Sequence, residues 1–365
     1  MEHAFVFPAI RGVQAGREYY VSMCPLRIIP KIFLFDEEEL SPEVRAQRTL
    51  NQNRIPEMAR YMLRNSDDYV FSSLTASIDG EVEFEGFDQS SEEFQQLGHL
   101  RIPMSASFVI NDGQHRRAAI EMALREEPSL GSETISVVFF IDAGLERSQQ
   151  MFADLNRNAV RPSKSLGVLY DHRDPMSHLT RLVVFSSDFL KPLVELEKTS
   201  LSLRSRKLFT LSSLHNANKI LAEAIDQSEE LEEAAAQMVA YWEAVAEHIE
   251  HWQLVRADEM TSGEVRKNHI HSHSLTLEAL ANVGRELFSE YADDWPKRLK
   301  GLENVDWSRA NPDLEGRALK SGSLVNSRAH VTLTTAYVKH HLDLPLTEKQ
   351  QAAEAALNSR EDDDE

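Results

Sequence analysis

Residues 110–120 read INDGQHRRAAI, and this stretch joins a strand pattern to a helix pattern. The apolar run at 107–110 precedes it, and the helix-forming run AAIEMAL at 118–124 follows it. Six polar residues and one glycine lie at the junction, which predicts a strand, a tight turn and a helix in that order. Arg116 and Arg117 then fall in the first helical turn, where the helix dipole disfavours positive charge.

An anion at this turn would explain the two arginines. The first N–H groups of a helix have no partner within the helix, and the dipole adds partial positive charge there. Gly113 allows the backbone to approach a ligand closely. We therefore predict a phosphate or nucleotide site formed by Asp112, Gly113, Gln114, His115, Arg116 and Arg117. The alternative is that Arg116 and Arg117 lie on the surface and pair with Asp112 or Glu121.

The rest of the chain divides by pattern into three parts. Residues 1–165 alternate strand and helix patterns, and Asp79-Gly80 between two alternating runs predicts a β-hairpin. Residues 166–345 show apolar spacing typical of helices. Residues 346–365 end in a run of acids, EDDDE, which predicts a disordered tail. The fold class predicted is α+β, with a mixed α/β domain followed by a mainly helical domain.

The composition limits the classes of function that the chain can have. The 365 residues carry a formal net charge of −20, which argues against a protein that coats nucleic acid through bulk charge. Cys24 is the only cysteine, so an internal disulfide and a cysteine-based zinc site are excluded. We find no membrane-spanning run and no signal peptide, and expect a cytoplasmic protein without a membrane partner.

Positive charge is concentrated in one segment despite the acidic total. Residues 157–220 contain eleven Lys and Arg and five Asp and Glu, a local excess of six. Such a footprint suits contacts to DNA phosphates, and LRSRKLFTLSSLHNANKI (203–220) joins a basic stretch to a helix. The predicted DNA-binding residues are Arg161, Lys164, Arg204, Arg206 and Lys207. The alternative is a solvated linker leading into a scaffold helix.

These motifs together resemble the DGQHR domain and the DndB family of the bacterial DNA phosphorothioate modification clusters. The resemblance covers residues ~5 to 340. It rests on Asp112-Gly113-Gln114-His115-Arg116 and on three flanking segments in the same order. Those segments are NQNRIPEMARYMLRNSDDYVFSSLTASIDG (51–80), MFADLNRNAVRPSKSL (151–166) and LRSRKLFTLSSLHNANKIL (203–221).

The DGQHR domain in turn resembles the ParB/sulfiredoxin-type fold, in which a Gly-x-Arg-Arg turn holds a nucleotide's phosphates. A second ParB segment has the form Glu-Asn-x-x-Arg with a later proline. Arg157 matches its arginine, but Ala153 and Asp154 replace the Glu-Asn pair. The resemblance adds Asn156 and Arg157 to the nucleotide site and implies a nucleoside triphosphate with Mg²⁺ as cofactor. The departure makes nucleotide hydrolysis a weaker inference than phosphate binding.

Other patterns offer little catalytic chemistry. We find no Walker A loop, no dinucleotide-binding glycine fingerprint and no Gly-x-Ser-x-Gly elbow. His269, His271 and His273 alternate, which suits a metal on an extended segment, but surface or capping histidines are the favoured interpretation. Their role stays open, and no metal site is predicted. The four tryptophans are spaced as helix-packing anchors.

Two functions remain in competition. The resemblance implies a transcriptional repressor of the phosphorothioation gene cluster, whose partner is double-stranded DNA of the cluster's promoter. The alternative is a ParB-type nucleotide switch or NTPase acting in DNA sulfur modification. Other sulfur-modification proteins and a second copy of the chain are further expected partners.

Overall fold

The computed structural model describes residues 3–33, 54–87, 94–141, 150–151, 154–155, 162–225 and 230–361. The chain divides into two compact units, Met1–Val160 and Arg161–Glu365. The first is built around a sheet and the second is mainly helical, so the predicted α+β class is confirmed.

The first unit contains a seven-stranded mixed sheet among its described residues, in the order β4-β5-β1-β2-β7-β3-β6. Only β3 and β7 pair in parallel there, and the other neighbours are antiparallel. The strands are β1 (Ala4–Gln14), β2 (Arg17–Pro25), β3 (Leu74–Asp79), β4 (Glu83–Gly86), β5 (Leu97–Pro103), β6 (Ser107–Asp112) and β7 (Thr134–Ile141).

In the described part of this unit, three helices accompany the sheet: α1 (Ile29–Ile32), α2 (Arg54–Arg64) and α3 (Gln114–Glu126). The core joins alternate residues of the central strands to the apolar face of α3. Leu74, Ala76 and Ile78 of β3 and Ile120 and Ala123 of α3 are fully buried. The strand-to-helix junction predicted from residues 110–120 therefore lies at one edge of the sheet, between β6 and α3.

The hairpin predicted at Asp79-Gly80 is wrong. Although β3 and β4 flank this turn, β3 pairs with β6 and β7, whereas β4 pairs with β5 at the opposite edge. The physical reason is burial, because four of the six residues of β3 are buried, which suits a strand with neighbours on both sides. By contrast, β4 alternates exposed glutamates with half-buried residues, which suits an edge strand.

The second unit packs its helices around one large apolar core. Its helices are α4 (Lys164–Tyr170), α5 (Pro175–Ser186), α6 (Leu190–Leu193), α7 (Leu211–Leu221), α8 (Leu231–Glu247), α9 (Glu250–Arg256), α10 (Ser262–Asn268), α11 (Ser274–Glu290), α12 (Trp295–Arg298), α13 (Arg328–His341) and α14 (Glu348–Glu361). Two short pairs complete it: β8 (Val194–Glu195) with β9 (Phe209–Thr210), and β10 (Leu319–Lys320) with β11 (Ser323–Leu324).

The tryptophans belong to this helical core. Trp242 and Trp252 are fully buried, and Trp307 is 4% exposed. Trp295 is half-buried and packs against Tyr241 and Phe288. Their position fits the packing role predicted from their spacing and leaves no exposed tryptophan platform for stacking bases in the described chain.

The predicted disordered tail contains helix α14 instead. Its sequence, EKQQAAEAALNSRE, is rich in strong helix formers, which outweigh the acids that follow. Arg317 donates two hydrogen bonds to Glu354, and Leu357 lies against Gly316. Among the described helices, none is both long enough and apolar enough to cross a membrane.

Candidate functional site

The turn at residues 112–117 depends on its glycine. Gly113 has a φ of 104°, which side-chain-bearing residues rarely adopt. A Cβ at this position would lie 2.4 Å from Cδ2 of the buried Leu74. Glycine therefore fits the turn for two independent reasons: the backbone angle and the lack of space.

Two buried amides hold the end of β6 in place. Asn111 is fully buried, and its Nδ2 donates to Oγ of Ser77 at 2.7 Å. Gln114 is 8% exposed and donates from Nε2 to the carbonyl oxygen of Ile110 at 3.1 Å. Gln114 thus fastens the first residue of α3 to the strand that precedes it, and this is a structural role.

The two arginines of the motif have separate partners. Arg116 pairs with Asp112, with Nη2 2.5 Å from Oδ2, and also donates to Ser72. Arg117 is buried, pairs with Glu121, and donates from Nε to the carbonyl oxygen of Phe33 at 2.9 Å. Convergence of both guanidinium groups on one phosphate, the arrangement that the sequence suggested, is therefore not what the structure has.

The physical reason lies in local acids and carbonyls. Asp112 and Glu121 stand four residues from Arg116 and Arg117 respectively, so each arginine has a carboxylate within reach along the chain. Arg117 additionally donates from Nη2 to the carbonyl oxygen of Pro30 at 3.2 Å, which joins α1 to α3. The dipole penalty that motivated the anion hypothesis is thereby offset without a ligand.

His115 is the remaining titratable group of the motif. It is half-buried, and its pKa is lowered first by burial and then by the nearby charges of Arg54 and Arg116. Asp112 pairs with Arg116 and offsets its charge, so Arg54 supplies the positive charge near His115 at the start of α3. No side chain of the described residues caps the N-terminus of this helix. Phosphate binding here stays a prediction, carried by the helix N-terminus, His115 and Arg116.

Three predicted site residues, Asn156, Arg157 and Arg161, lie outside the described residues. Asp154, which stands where the ParB segment has the asparagine of its Glu-Asn pair, accepts a hydrogen bond from Gln150 at 2.7 Å. Within the described ranges, no group of three His, Cys, Asp or Glu side chains is arranged to hold a metal ion.

The second candidate site is the loop between β8 and β9, residues 196–208, which we call the basic loop. It holds four cations and one acid, Glu197, which gives a net charge of +3. The cations are Lys198, Arg204, Arg206 and Lys207. Most of its side chains are exposed, and its end is fixed where Leu208 donates its N–H to the carbonyl oxygen of Leu193 at 2.7 Å.

Side chains of helix α10 donate hydrogen bonds to backbone carbonyls in the second half of the loop. Arg266 is 7% exposed, and its Nη2 donates to the carbonyl oxygens of Ser202 at 2.6 Å and Ser205 at 3.2 Å. Its Nη1 donates to the carbonyl oxygen of Lys207. Ser262 adds a bond from its Oγ to the carbonyl oxygen of Arg206 at 2.7 Å. Four carbonyls of this exposed loop are therefore held from one helix.

Serines at the start of helix α4 donate hydrogen bonds to backbone carbonyls in the first half of the loop. Ser163, which caps this helix, donates to the carbonyl oxygen of Glu197, and Ser165 donates to that of Lys198 at 2.9 Å. The exposed Lys164 lies between these two serines and therefore next to the loop. Lys164 is therefore close to the basic loop in the chain's fold, and its assignment to DNA binding stays a prediction.

The charged side chains of the loop differ in their exposure and in their hydrogen bonds. Arg204 and Arg206 are exposed, and the described residues give their side chains no hydrogen bond or ion pair. Lys207 is half-buried and donates from Nζ to the carbonyl oxygen of Pro192 at 2.8 Å. Arg181, part of the charge excess at 157–220, is buried and donates to the carbonyl oxygens of Val168 and Asp171. Fewer cations are therefore accessible than the eleven Lys and Arg counted in residues 157–220.

Arg266 is the residue that sequence reasoning missed. It lies 59 to 64 positions from its carbonyl partners, and GEVRKN (263–268) has no pattern that marks a buried arginine. The nearby glycine is the only local signal, because a Cβ at Gly263 would lie 2.1 Å from the carbonyl oxygen of Leu203.

Of the three alternating histidines, His271 lies in the core, whereas His269 and His273 are half-buried. His271 is fully buried, and the ring centroids of His251 and His269 lie 5.3 and 5.4 Å from its own. Trp252 donates from Nε1 to Nδ1 of His271 at 2.8 Å, so the neutral ring carries its proton on Nε2. Burial lowers the pKa of His271 well below its ordinary value. The expectation of surface or capping histidines therefore does not describe His271.

The lone cysteine offers no nucleophile. Cys24 is fully buried in β2, and burial raises the pKa of its thiol to about 12. A thiol with this pKa stays protonated at neutral pH and is a poor nucleophile. Its position fits packing in the sheet core.

A family model, DndB, described as DNA-sulfur modification-associated, matches residues 7–345 of the chain. The match spans both units. No curated protein and no solved structure matches the chain. The predicted likeness to the ParB/sulfiredoxin-type fold therefore stays a prediction.

Proposed function

Since the chain belongs to the DndB family of DNA-sulfur modification-associated proteins, we propose that it is a DNA-binding regulator that represses the phosphorothioation gene cluster. The observation that carries this proposal is the basic loop, an exposed and cationic segment whose backbone is fastened at both ends. We assign Lys164, Arg204, Arg206 and Lys207 to contacts with the DNA backbone, together with Arg161 on the strength of the sequence.

Fixing a loop before it binds lowers the entropic cost of binding. An unrestrained loop loses conformational freedom when a ligand orders it, which reduces affinity. In the basic loop, hydrogen bonds from Ser163, Ser165, Ser262 and Arg266 already restrain six backbone carbonyls. Guanidinium groups held on such a frame suit phosphate oxygens, which accept charge-assisted hydrogen bonds.

The acidic total charge supports a narrow contact surface. A chain of net charge −20 is repelled by DNA over most of its surface, so attraction must come from a local excess of cations. The basic loop has a net charge of +3, and Lys164 lies beside it. Affinity should therefore depend on few phosphate contacts and fall as salt concentration rises.

A second function, nucleotide binding at the start of α3, is favoured by one feature. The helix N-terminus is uncapped by any described side chain and has Arg54, His115 and Arg116 around it. A nucleoside triphosphate would have to compete with Asp112 for Arg116, since those side chains already form an ion pair. Calorimetry with ATP and CTP in the presence of Mg²⁺ tests this function, and absence of binding at millimolar nucleotide would rule it out.

The regulator hypothesis is tested by mobility shifts on the DNA upstream of the cluster. We expect the wild type to bind this promoter more tightly than a scrambled duplex of the same composition. The double variant Arg204→Ala, Arg206→Ala should bind both duplexes weakly. A matched control, Arg256→Ala with Lys300→Ala, removes two exposed cations elsewhere in the same unit and should bind as the wild type does. Equal affinity of the wild type for both duplexes would refute sequence-specific repression.

Association with other sulfur-modification proteins and with a second copy of the chain remain parts of this proposal. A palindromic operator would favour a dimer, because dimeric regulators match the symmetry of their sites. Light scattering of the chain with and without promoter DNA would measure the oligomeric state directly.

A further inference from the structure

The tip of the basic loop carries an exposed apolar residue between polar and cationic neighbours. Leu203 is 63% exposed, and Arg204 and Arg206 follow it in the chain. Its backbone lies against α10, where a Cβ on Gly263 would fall 2.1 Å from the carbonyl oxygen of Leu203. A leucine that could have been buried is instead held with most of its surface in solvent.

Hydrogen bonds restrain the backbone on both sides of Leu203. Ser202 and Ser205, which flank Leu203 and Arg204, both have their carbonyls bound to Arg266. The carbonyl of Arg206 is bound to Ser262. Restraint at 202, 205 and 206 means that little further ordering is needed for residue 203 to press into a binding partner.

We propose that the basic loop enters the minor groove of DNA and that Leu203 wedges between neighbouring base pairs. This inference rests on the proposed DNA-binding function and deepens it. Arg204 and Arg206 would contact the phosphates on either side of the wedge, and Arg266 is the positioning residue that fixes the loop. Apolar wedges beside cationic side chains are how many minor-groove proteins unstack a base step and bend the duplex.

Charge identifies the partner as nucleic acid. An exposed leucine alone would suit a protein surface equally well, but the loop around Leu203 has four cations against one acid. The cores of protein–protein interfaces are depleted of charged residues, whereas a narrow minor groove has enhanced negative potential. The combination of one apolar tip and adjacent guanidinium groups therefore fits a duplex best.

The test measures bending and affinity on one probe. A short duplex from the DNA upstream of the chain's own gene carries a donor dye at one end and an acceptor at the other. With the full-length wild type, we expect energy transfer to rise by the amount of a bend between about 20° and 90°. Leu203→Ala should abolish the rise and weaken binding by about ten-fold, because a buried leucine side chain is lost.

Two variants serve as matched controls. Leu203→Met keeps a flexible apolar wedge and should preserve both the bend and most of the affinity. Phe185→Ala removes another exposed apolar side chain of the same unit, 43% exposed, and should change neither quantity. Because Leu203 and Phe185 are both exposed, these variants should fold as the wild type does, which circular dichroism checks.

The possible outcomes distinguish failure of the Leu203 wedge from failure of the proposed DNA-binding function. If the wild type binds without bending, or if Leu203→Ala bends the duplex as the wild type does, the wedge is wrong while DNA binding stands. If Leu203→Ala changes the mass of the free protein by light scattering and leaves the bend intact, Leu203 is a protein contact and the inference is overturned. If the folded wild type binds no duplex, the proposed function fails as well.

The positioning role of Arg266 gives a second readout. Arg266→Lys keeps the charge but loses the planar group that reaches three carbonyls. We expect a smaller bend and weaker binding, with the thermal unfolding of the free protein checked separately. An unchanged bend in the lysine variant would contradict the role of the fixed loop.

Discussion

Arg116 and Arg117 in the DGQHR turn and Arg204 and Arg206 in the basic loop show how differently two arginine pairs can be used. In the turn, both guanidinium groups find partners within the chain, and Arg117 is buried. In the loop, a third arginine, Arg266, binds the backbone carbonyls, and the loop's own arginines stay exposed. The local supply of carboxylates and carbonyls therefore decides which arginines can meet a ligand.

The largest effect that tests this contrast is the loss of stability expected when Arg117 is replaced. Arg117→Ala removes the pair with Glu121 and leaves the carbonyls of Phe33 and Pro30 without their donor. Breaking such a buried network should lower the free energy of unfolding by ~3–5 kcal/mol. Denaturant unfolding measures the loss. A change below 1 kcal/mol, on the order of a surface substitution, would show that Arg117 is not structural.

A smaller loss is expected at the turn's glycine. Gly113→Ala places a Cβ beside Leu74 and forces alanine to a φ of 104°. Strain of this kind should cost ~2 kcal/mol of the free energy of unfolding. Gly322→Ala is the matched control, because this glycine also has positive φ but its Cβ would meet nothing within 4 Å. Equal losses at the two positions would show that backbone strain alone matters at the turn.

Acid should distinguish the two units. His271 is fully buried and, like its neighbours His269 and His273, has a pKa lowered from the ordinary 6.5. The folded second unit disfavours protonation of these rings, most of all His271, whereas the unfolded chain takes up protons below about pH 6.5. The free energy of unfolding should therefore fall as pH drops below 6.5, by at most about 1.4 kcal/mol per pH unit for the fully buried His271.

Tryptophan fluorescence reports this unit selectively, because all four tryptophans lie between 242 and 307. Urea unfolding at about pH 7.5 and about pH 5.5 should show the loss in the fluorescence transition. His271→Asn removes one buried titrating ring and should reduce the pH dependence. The same pH dependence in this variant and the wild type would contradict the assignment to His271.

The smallest effect on stability is expected at the loop. Arg204→Ala with Arg206→Ala should change the free energy of unfolding by less than about 0.5 kcal/mol, since neither side chain has a bond within the described residues. Thermal unfolding of the double variant measures this. A loss as large as that of Arg117→Ala would place these arginines in the scaffold and remove the contrast.

Much of the fold could be predicted from local pattern. Apolar spacing predicted the major helices of the second unit, and the strand before Asp112 with the helix after Gly113 emerged as expected. Strand pairing could not be predicted, because Asp79-Gly80 favours a hairpin locally while β3 is buried between β6 and β7. Long-range packing decided that outcome over turn chemistry.

The sites were predictable only in part. The sequence indicated the basic loop through its charge, but charge alone could not separate the exposed Arg204 from the buried Arg181. It indicated the arginine pair of the turn without showing that Arg117 binds distant carbonyls at Pro30 and Phe33. Contacts between positions far apart in the chain leave no spacing pattern, and so Arg266 went unnoticed.

We propose that the basic loop, and not the DGQHR turn, contacts the DNA. The most direct measurement is a fluorescence anisotropy titration of a labelled promoter duplex with three proteins: wild type, Arg204→Ala with Arg206→Ala, and Arg116→Ala. We predict that the loop variant loses at least about ten-fold in affinity and that its salt slope falls by about 2, while Arg116→Ala stays within about two-fold of the wild type. Loss of binding in Arg116→Ala together with wild-type affinity in the loop variant would contradict the account.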